Sequence, residues 1–250
     1  MTFSITARCP RTGQLGVGAL TARPAVGKLV AHVHSGCGAV ATQATSNPFL
    51  AYDGLPLLGQ GRSPQDVLTE LLASDPGREV RQVGMVDGRG RSHAFTGSRT
   101  KDWAGHRTGP GYAVQGNRLA SPETLAEIVR VFEESEPLDL AERLVLAIGA
   151  GEEAGGDRHG ARSATVTVIG DQPYPLWDVR VDDSEHPARE LRRLHGVFRD
   201  EVLPTIQGMP TRDDPMGETA RQALGAQMGH ESPANAISQH PSTMATREAL

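Results

Sequence analysis

Thr2 follows a lone methionine, and removal of Met1 ahead of so small a residue leaves one residue with both a hydroxyl and a free α-amine. That pair can act as nucleophile and base together. A hydroxyl is a poor nucleophile until a base takes its proton, and a threonine activated by its own terminal amine is an established solution. The amine suits the task because its reference pKa of about 7.7 to 8.0 lies close to working pH, where a general base is most effective. Many ordinary proteins also open with Met-Thr and a strand. The first six residues alone therefore favour the plain reading, a strand start without chemistry.

Other residue types offer supporting chemistry. The densest polar cluster is Gly155-Gly156-Asp157-Arg158-His159-Gly160-Ala161-Arg162-Ser163. Its glycines let backbone approach a ligand, and an aspartate between arginines is held ionised and oriented; the competing reading is a helix cap followed by solvated charges. Thr42-Gln43, Arg81-Gln82 and Gln115-Gly116-Asn117 each put a side-chain amide within or just beyond a strand pattern. Such amides are most often buried and satisfied by backbone groups, and less often present donors to a bound carbonyl as an oxyanion hole does. His32 and His34, two residues apart on a strand, point to one side, but no further ligand lies near them in sequence. Neither a metal nor a cofactor is expected.

The elements that must position these groups follow from periodicity. Residues 1–6 alternate with period two, and 14–21 resume the alternation after the turn Pro10-Arg11-Thr12-Gly13, which predicts an opening hairpin. Gly16 and Gly18 in its second strand lack the third glycine and the following helix of a dinucleotide-binding fingerprint. Strands are expected over 28–34 and 38–43. Ser63-Pro64-Gln65-Asp66 then opens a helix with a cap, a proline at the first position and an acid in the first turn. Strands over 80–87 and 92–95, with a further pair over 103–107 and 112–115, lead to helices beginning at Ser121-Pro122-Glu123 and near Leu140. Strands over 163–169 and 176–181 and a helix from 187 to 202 complete the pattern. Strands come in groups rather than alternating singly with helices, so an α+β fold is expected, with two mainly antiparallel sheets face to face and helices outside. From about residue 207 apolar periodicity and aromatics stop, which predicts a flexible C-terminal tail over 207–250 beside a domain over 1–206.

The 250 residues carry a net charge of -5 with no basic block, which argues against nucleic acid as a partner. Lysine occurs only as Lys28 and Lys101, so nearly all positive charge is arginine. Cys9 and Cys37 fit no metal or redox spacing, no apolar run approaches the ~20 residues of a membrane span, and no secretory leader is expected. The expectation is a cytoplasmic protein acting on a small-molecule substrate, with a homo-oligomer such as a homodimer left open.

Met1-Thr2-Phe3-Ser4-Ile5, Gly38-Ala39-Val40-Ala41-Thr42-Gln43, Asp75-Pro76-Gly77-Arg78 with Arg81-Gln82-Val83-Gly84, Gln115-Gly116-Asn117, Ala154-Gly155-Gly156-Asp157-Arg158 and Val179-Arg180-Val181-Asp182-Asp183 resemble, in order and spacing, the motifs of the bacterial domain of unknown function family 1028. The resemblance covers about residues 1 to 203. It implies the four-layer αββα sandwich of the N-terminal-nucleophile (Ntn) hydrolases. With that fold behind it, Thr2 becomes the expected nucleophile of an amidohydrolase. Asn117 or Gln43 is then the expected oxyanion donor and Asp157 the residue that orients the amine or hydroxyl. Arg81, Gln82, Arg158 and Arg162 are the expected substrate-binding residues, arginine being suited to a carboxylate. A same-fold hydrolase or cyclohydrolase using activated water, and a non-catalytic binding module, are the alternatives.

Overall fold

The computed structural model describes residues 2–156 and 160–230, and the chain divides into two compact units, Met1–Ile206 and Gln207–Leu250. The first unit opens with β1 (Thr2–Arg8) and β2 (Leu15–Thr21), followed by the short helix α1 (Val26–Leu29) and by β3 (Ala31–His34) and β4 (Gly38–Ala44). Three helices, α2 (Phe49–Tyr52), α3 (Gly54–Gly59) and α4 (Pro64–Ala73), precede β5 (Arg81–Asp87), β6 (Ser92–Thr96), β7 (Gly105–Gly109) and β8 (Tyr112–Asn117). Then come α5 (Glu123–Glu134), α6 (Leu140–Glu153), β9 (Ser163–Ile169), β10 (Pro175–Val181) and α7 (Pro187–Val197), which runs through one wide turn into α8 (Leu203–Gln207). Among the described residues no helix is long and apolar enough to cross a membrane.

The strands form two antiparallel sheets, one in the order β10-β9-β2-β1-β8-β7 and the other β3-β4-β5-β6. Period-two alternation decides which face each residue takes. On β1, Phe3 and Ile5 are fully buried under α5 and α6 with Leu125, Ile128, Leu144 and Ile148. Ser4, between them, points the other way and reaches Gln43 of the second sheet. Burying side chains the size of Phe3 and Ile5 contributes about 1.5 to 3 kcal/mol each. On the far side, Leu55, Leu58, Val67, Leu68 and Leu72 of α3 and α4 cover Val40, Val83 and Met85 of the four-stranded sheet. The expected α+β class and the αββα layering are therefore what the chain builds.

Local signals explain most of the boundaries. Ser63 Oγ accepts the backbone N–H of Asp66 at 3.1 Å and Pro64 takes the first helical position, so α4 starts where its cap stands. Gly16 and Gly18 have a packing reason: a Cβ there would meet Leu144 and Ile148 of α6 at 2.9 and 3.0 Å. The expected strand over 28–34 is shorter. Lys28 and Leu29 belong to α1, because Ser163 Oγ accepts the N–H of Val26 at 3.0 Å and Asp182 O accepts that of Ala25 at 2.9 Å, which curls the segment. Tertiary contacts outweigh propensity there.

The second unit contains α9 (Gly217–His230), a helix within the stretch expected to be a tail. Residues 231–250 of the expected tail lie outside the described residues.

Candidate active site

Thr2 begins the fourth strand in the spatial order of the larger sheet, paired with Thr21 of β2 on one side and Asn117 of β8 on the other. Its Oγ1 lies 3.0 Å from Thr21 Oγ1. Its carbonyl oxygen accepts from Gln43 Nε2 at 3.2 Å and, more weakly, from Asn117 Nδ2 at 3.4 Å. The backbone of the residue is thereby held from both sheets.

Beneath Thr2 the space between the sheets is polar. Ser4 Oγ donates to Gln43 Oε1 at 2.7 Å and accepts from Gln115 Nε2 at 2.6 Å. Gln82 Oε1 accepts from Gln43 Nε2 at 2.8 Å and Asn117 Nδ2 at 3.0 Å, while Gln82 Nε2 donates to Gly116 O at 2.8 Å and Gly105 O at 3.0 Å. All five residues are buried, so each bond replaces a lost contact with water and the group behaves as one network. Gln115 crosses above Gly84, where any Cβ would collide with its amide; among the described residues Gln115 Oε1 is buried without a hydrogen-bond partner.

Above Thr2 lies an open cleft of about 260 Å³. Its lining includes Thr2, Asn117 and four cationic side chains, Arg23, Arg99, Lys101 and Arg118, and no acid among the described residues. Ala44 and Arg118, at its edge, hold left-handed backbone with φ of 66° and 56°. Such conformations are uncommon for residues with a Cβ and gather at functional sites.

The expected site residues therefore separate by position. Thr2 and Asn117 line the cleft, while Gln43 and Gln82 stand behind them in the amide network. Arg81 is turned away: its Nε contacts Asp75 Oδ2 at 3.0 Å and its Nη1 donates to Thr45 O at 2.7 Å. The guanidinium of Arg81 holds the Asp75 carboxyl down at about 2, helped by Asn47 and the Gly77 N–H against the cost of burial. Arg162 makes a two-pronged pair with Asp183 at 2.9 and 2.7 Å, both exposed. Its backbone N–H donates to Thr21 O at 2.8 Å, tying the start of β9 to the strand beside Thr2. Asp157 and Arg158, like His159, lie outside the described residues. The four cations of the cleft escaped the sequence reading because they fall in three separate connections, after β2, between β6 and β7, and after β8, with no common spacing to betray them.

His32 packs edge-on to Tyr52 at 5.4 Å, and burial, with Lys28 nearby, pushes its pKa down. His34 Nδ1 lies 3.0 Å from Ser35 O and 3.3 Å from Cys37 Sγ. Among the described residues no group of three His, Cys, Asp or Glu side chains is placed to hold a metal ion.

The model of the family of unknown function DUF1028 matches residues 2–191. The chain belongs to that family. It is similar to the crystal structure of the DUF1028 protein SPO2555 from Silicibacter pomeroyi, with 29% identity and a TM-score of 0.79, covering 86% of this chain and 98% of that one. The family match takes in every strand of both sheets, from β1 to β10, and reaches into α7. Anbu (ancestral beta-subunit) from Yersinia bercovieri is a remote match at 11% identity and a TM-score of 0.38, covering 84% of this chain and 100% of that one, too low to bear on function. No curated protein sequence matches the chain.

Proposed function

We propose that this protein is an amidohydrolase that opens a small amide-type substrate with Thr2 as an N-terminal nucleophile. The observation that carries the reading is the place of Thr2: at the head of a central strand, fixed by its carbonyl and lining a cleft beside Asn117. With Met1 removed, the α-amine takes the hydroxyl proton as Oγ1 bonds to the substrate carbonyl carbon. The C–N bond then breaks, the leaving nitrogen receives that proton, and water hydrolyses the acyl ester to restore Thr2.

Asn117 is the better oxyanion donor of the two amides. One N–H of its amide is taken by Gln82 Oε1 at 3.0 Å, but the other has only the long 3.4 Å contact to Thr2 O, whereas Gln43 Nε2 has three protein acceptors within 3.3 Å. A donor weakly engaged in the resting site is free to strengthen its bond as charge develops on the substrate oxygen. Asp157 keeps its proposed role of orienting the amine or hydroxyl, and Arg158 that of meeting a substrate carboxylate; Arg162, with its fork occupied by Asp183, is the weaker anchor. In this proposal the enzyme works in the cytoplasm without metal or cofactor.

Intact-mass measurement of the purified protein tests the requirement for a free amine. The expected mass is that of the chain less one methionine. An active wild-type protein that keeps Met1 overturns the mechanism, because the extra residue acylates the amine that must act as base.

A further inference from the structure

The charges around the cleft point to a class of substrate. The whole chain is acidic at -5, yet the four titratable side chains that line the cleft among the described residues are all cationic: Arg23, Arg99, Lys101 and Arg118. One of them is among the only two lysines in the sequence. Elsewhere on the surface arginines have acids at hand, as in Arg62–Glu70 at 2.6 Å, Arg130–Glu134 at 2.6 Å, Arg193–Glu190 at 2.6 Å and Arg162–Asp183 at 2.7 Å. None of the four cleft cations makes an ion pair with a described residue. Residues 157–159, outside the described residues, add no net charge by composition, since they hold one aspartate and one arginine.

Gathering like charges costs free energy unless a ligand of opposite sign repays it, and a concave wall of one sign focuses the field on whatever enters. Arg118 adds a second sign of purpose. It is set in left-handed backbone directly after Asn117, the residue paired with Thr2, and its N–H donates to Lys101 O at 3.0 Å, so two of the cations are tied together at one wall. A cleft of about 260 Å³ lies just below the usual range for drug-sized ligands, which fits a small metabolite rather than a long chain.

We infer that the Thr2 cleft binds a small acidic molecule through Arg23, Arg99, Lys101 and Arg118, so that the amide opened by Thr2 carries a compact anionic group, a carboxylate or a phosphate. The amide half of this statement rests on the proposed role of Thr2; the anion half rests on the charges alone. The arginines offer a two-pronged hydrogen bond to either kind of anion, and Lys101 a point charge.

The test is equilibrium binding, which needs no turnover. Calorimetric titration of the full chain at low ionic strength uses succinate, inorganic phosphate and, as the neutral match, succinamide. The expected result is that at least one anion binds at least about tenfold more tightly than succinamide, a difference of about 1.4 kcal/mol, and that added salt weakens it. Which anion binds better assigns the group. Arg99→Gln and Arg118→Gln should each weaken anion binding several-fold, while Arg192→Gln on α7, away from the cleft, leaves it unchanged. A circular dichroism melt confirms that each variant is folded. Succinamide binding as well as the anions, no anion binding at millimolar concentration, or folded Gln variants that bind like the wild type overturns the inference. Thr2→Ala should still bind the anion, so a failed nucleophile and a failed anion site give different results.

Discussion

Gln43 Nε2 donates to the carbonyl oxygen of Thr2 at 3.2 Å, so the first residue of one sheet is fastened by the penultimate residue of a strand in the other. The same side chain bonds Ser4 and Gln82. Any sliding of the sheets would therefore move Thr2 relative to the cleft. The amide cluster acts on the candidate nucleophile through its backbone, which makes Gln43 a positioning residue.

Gln43→Ala should test that link. The change takes away the acceptor of the buried Ser4 hydroxyl and one of the two donors to Gln82 Oε1, and a buried polar group left short of a partner costs about 1 to 3 kcal/mol. Urea unfolding should show a loss in that range or above it. Activity, once a substrate is in hand, should fall further than the loss of folded protein accounts for. A variant of wild-type stability would show that water replaces the amide at no cost.

Gly84→Ala probes the same layer from its other side. A Cβ at residue 84 collides with the side chain of Gln115, which would have to move from its bond to Ser4. Overpacking of this kind costs about 1 to 3 kcal/mol. Adding Gln115→Ala should restore part of the loss, because it removes the colliding group. Additive losses in the double variant would place the strain elsewhere.

The alternation read over residues 1–6 was legible because one face of β1 meets apolar helices and the other meets an amide layer, so the two faces differ in chemistry. Gln43, Gln82 and Asn117 were legible as unusual strand residues, but not as partners. Their contacts join residues 35 to 39 positions apart across two sheets, and nothing local encodes that register. Arg81 illustrates the converse problem. Asp75-Pro76-Gly77 stood out as a motif beside it, yet only the fold of the turn brings the carboxylate onto the guanidinium. Gly16 and Gly18 were legible as a rejected fingerprint and gain their meaning from α6, more than a hundred residues away. The cleft cations had no signal at all in sequence, since Arg23, Arg99, Lys101 and Arg118 converge only in three dimensions.

Asp75 makes stability depend on acid. Its folded pKa, lowered to about 2 chiefly by Arg81, lies below the ordinary value of 3.8, so its contribution is complete above the ordinary value and is lost as pH falls through about 2. The shift corresponds to about 2 kcal/mol at neutral pH, in a pair whose side chains are only 6% and 17% exposed. Asp75→Asn should therefore lower unfolding free energy by about that amount at pH 7. The gap to wild type should begin to narrow as pH drops below about 4. A gap independent of pH between 7 and 3 would mean that the carboxylate charge is not what Arg81 senses.

Thr2 is the residue on which the functional reading stands, and two substitutions divide its hydroxyl from its fold. Thr2→Ser retains both hydroxyl and amine, so the mature variant should keep hydrolysing an acidic amide, with Met1 still removed ahead of a small residue. Thr2→Ala keeps the backbone carbonyl that Gln43 and Asn117 hold, and loses the Oγ1 that sits 3.0 Å from Thr21 Oγ1. It should fold with nearly wild-type stability and lose almost all turnover, since deleting a covalent nucleophile can cost on the order of 10⁶ in kcat. A β-lactone, which acylates a hydroxyl nucleophile by ring opening with no leaving group, gives a readout that needs no substrate. The wild type and Thr2→Ser should gain the full mass of the lactone on residue 2, and Thr2→Ala should gain none. If Thr2→Ala turns over an amide at the wild-type rate while Asp157→Asn does not, the attacking group is an activated water and the threonine only begins a strand.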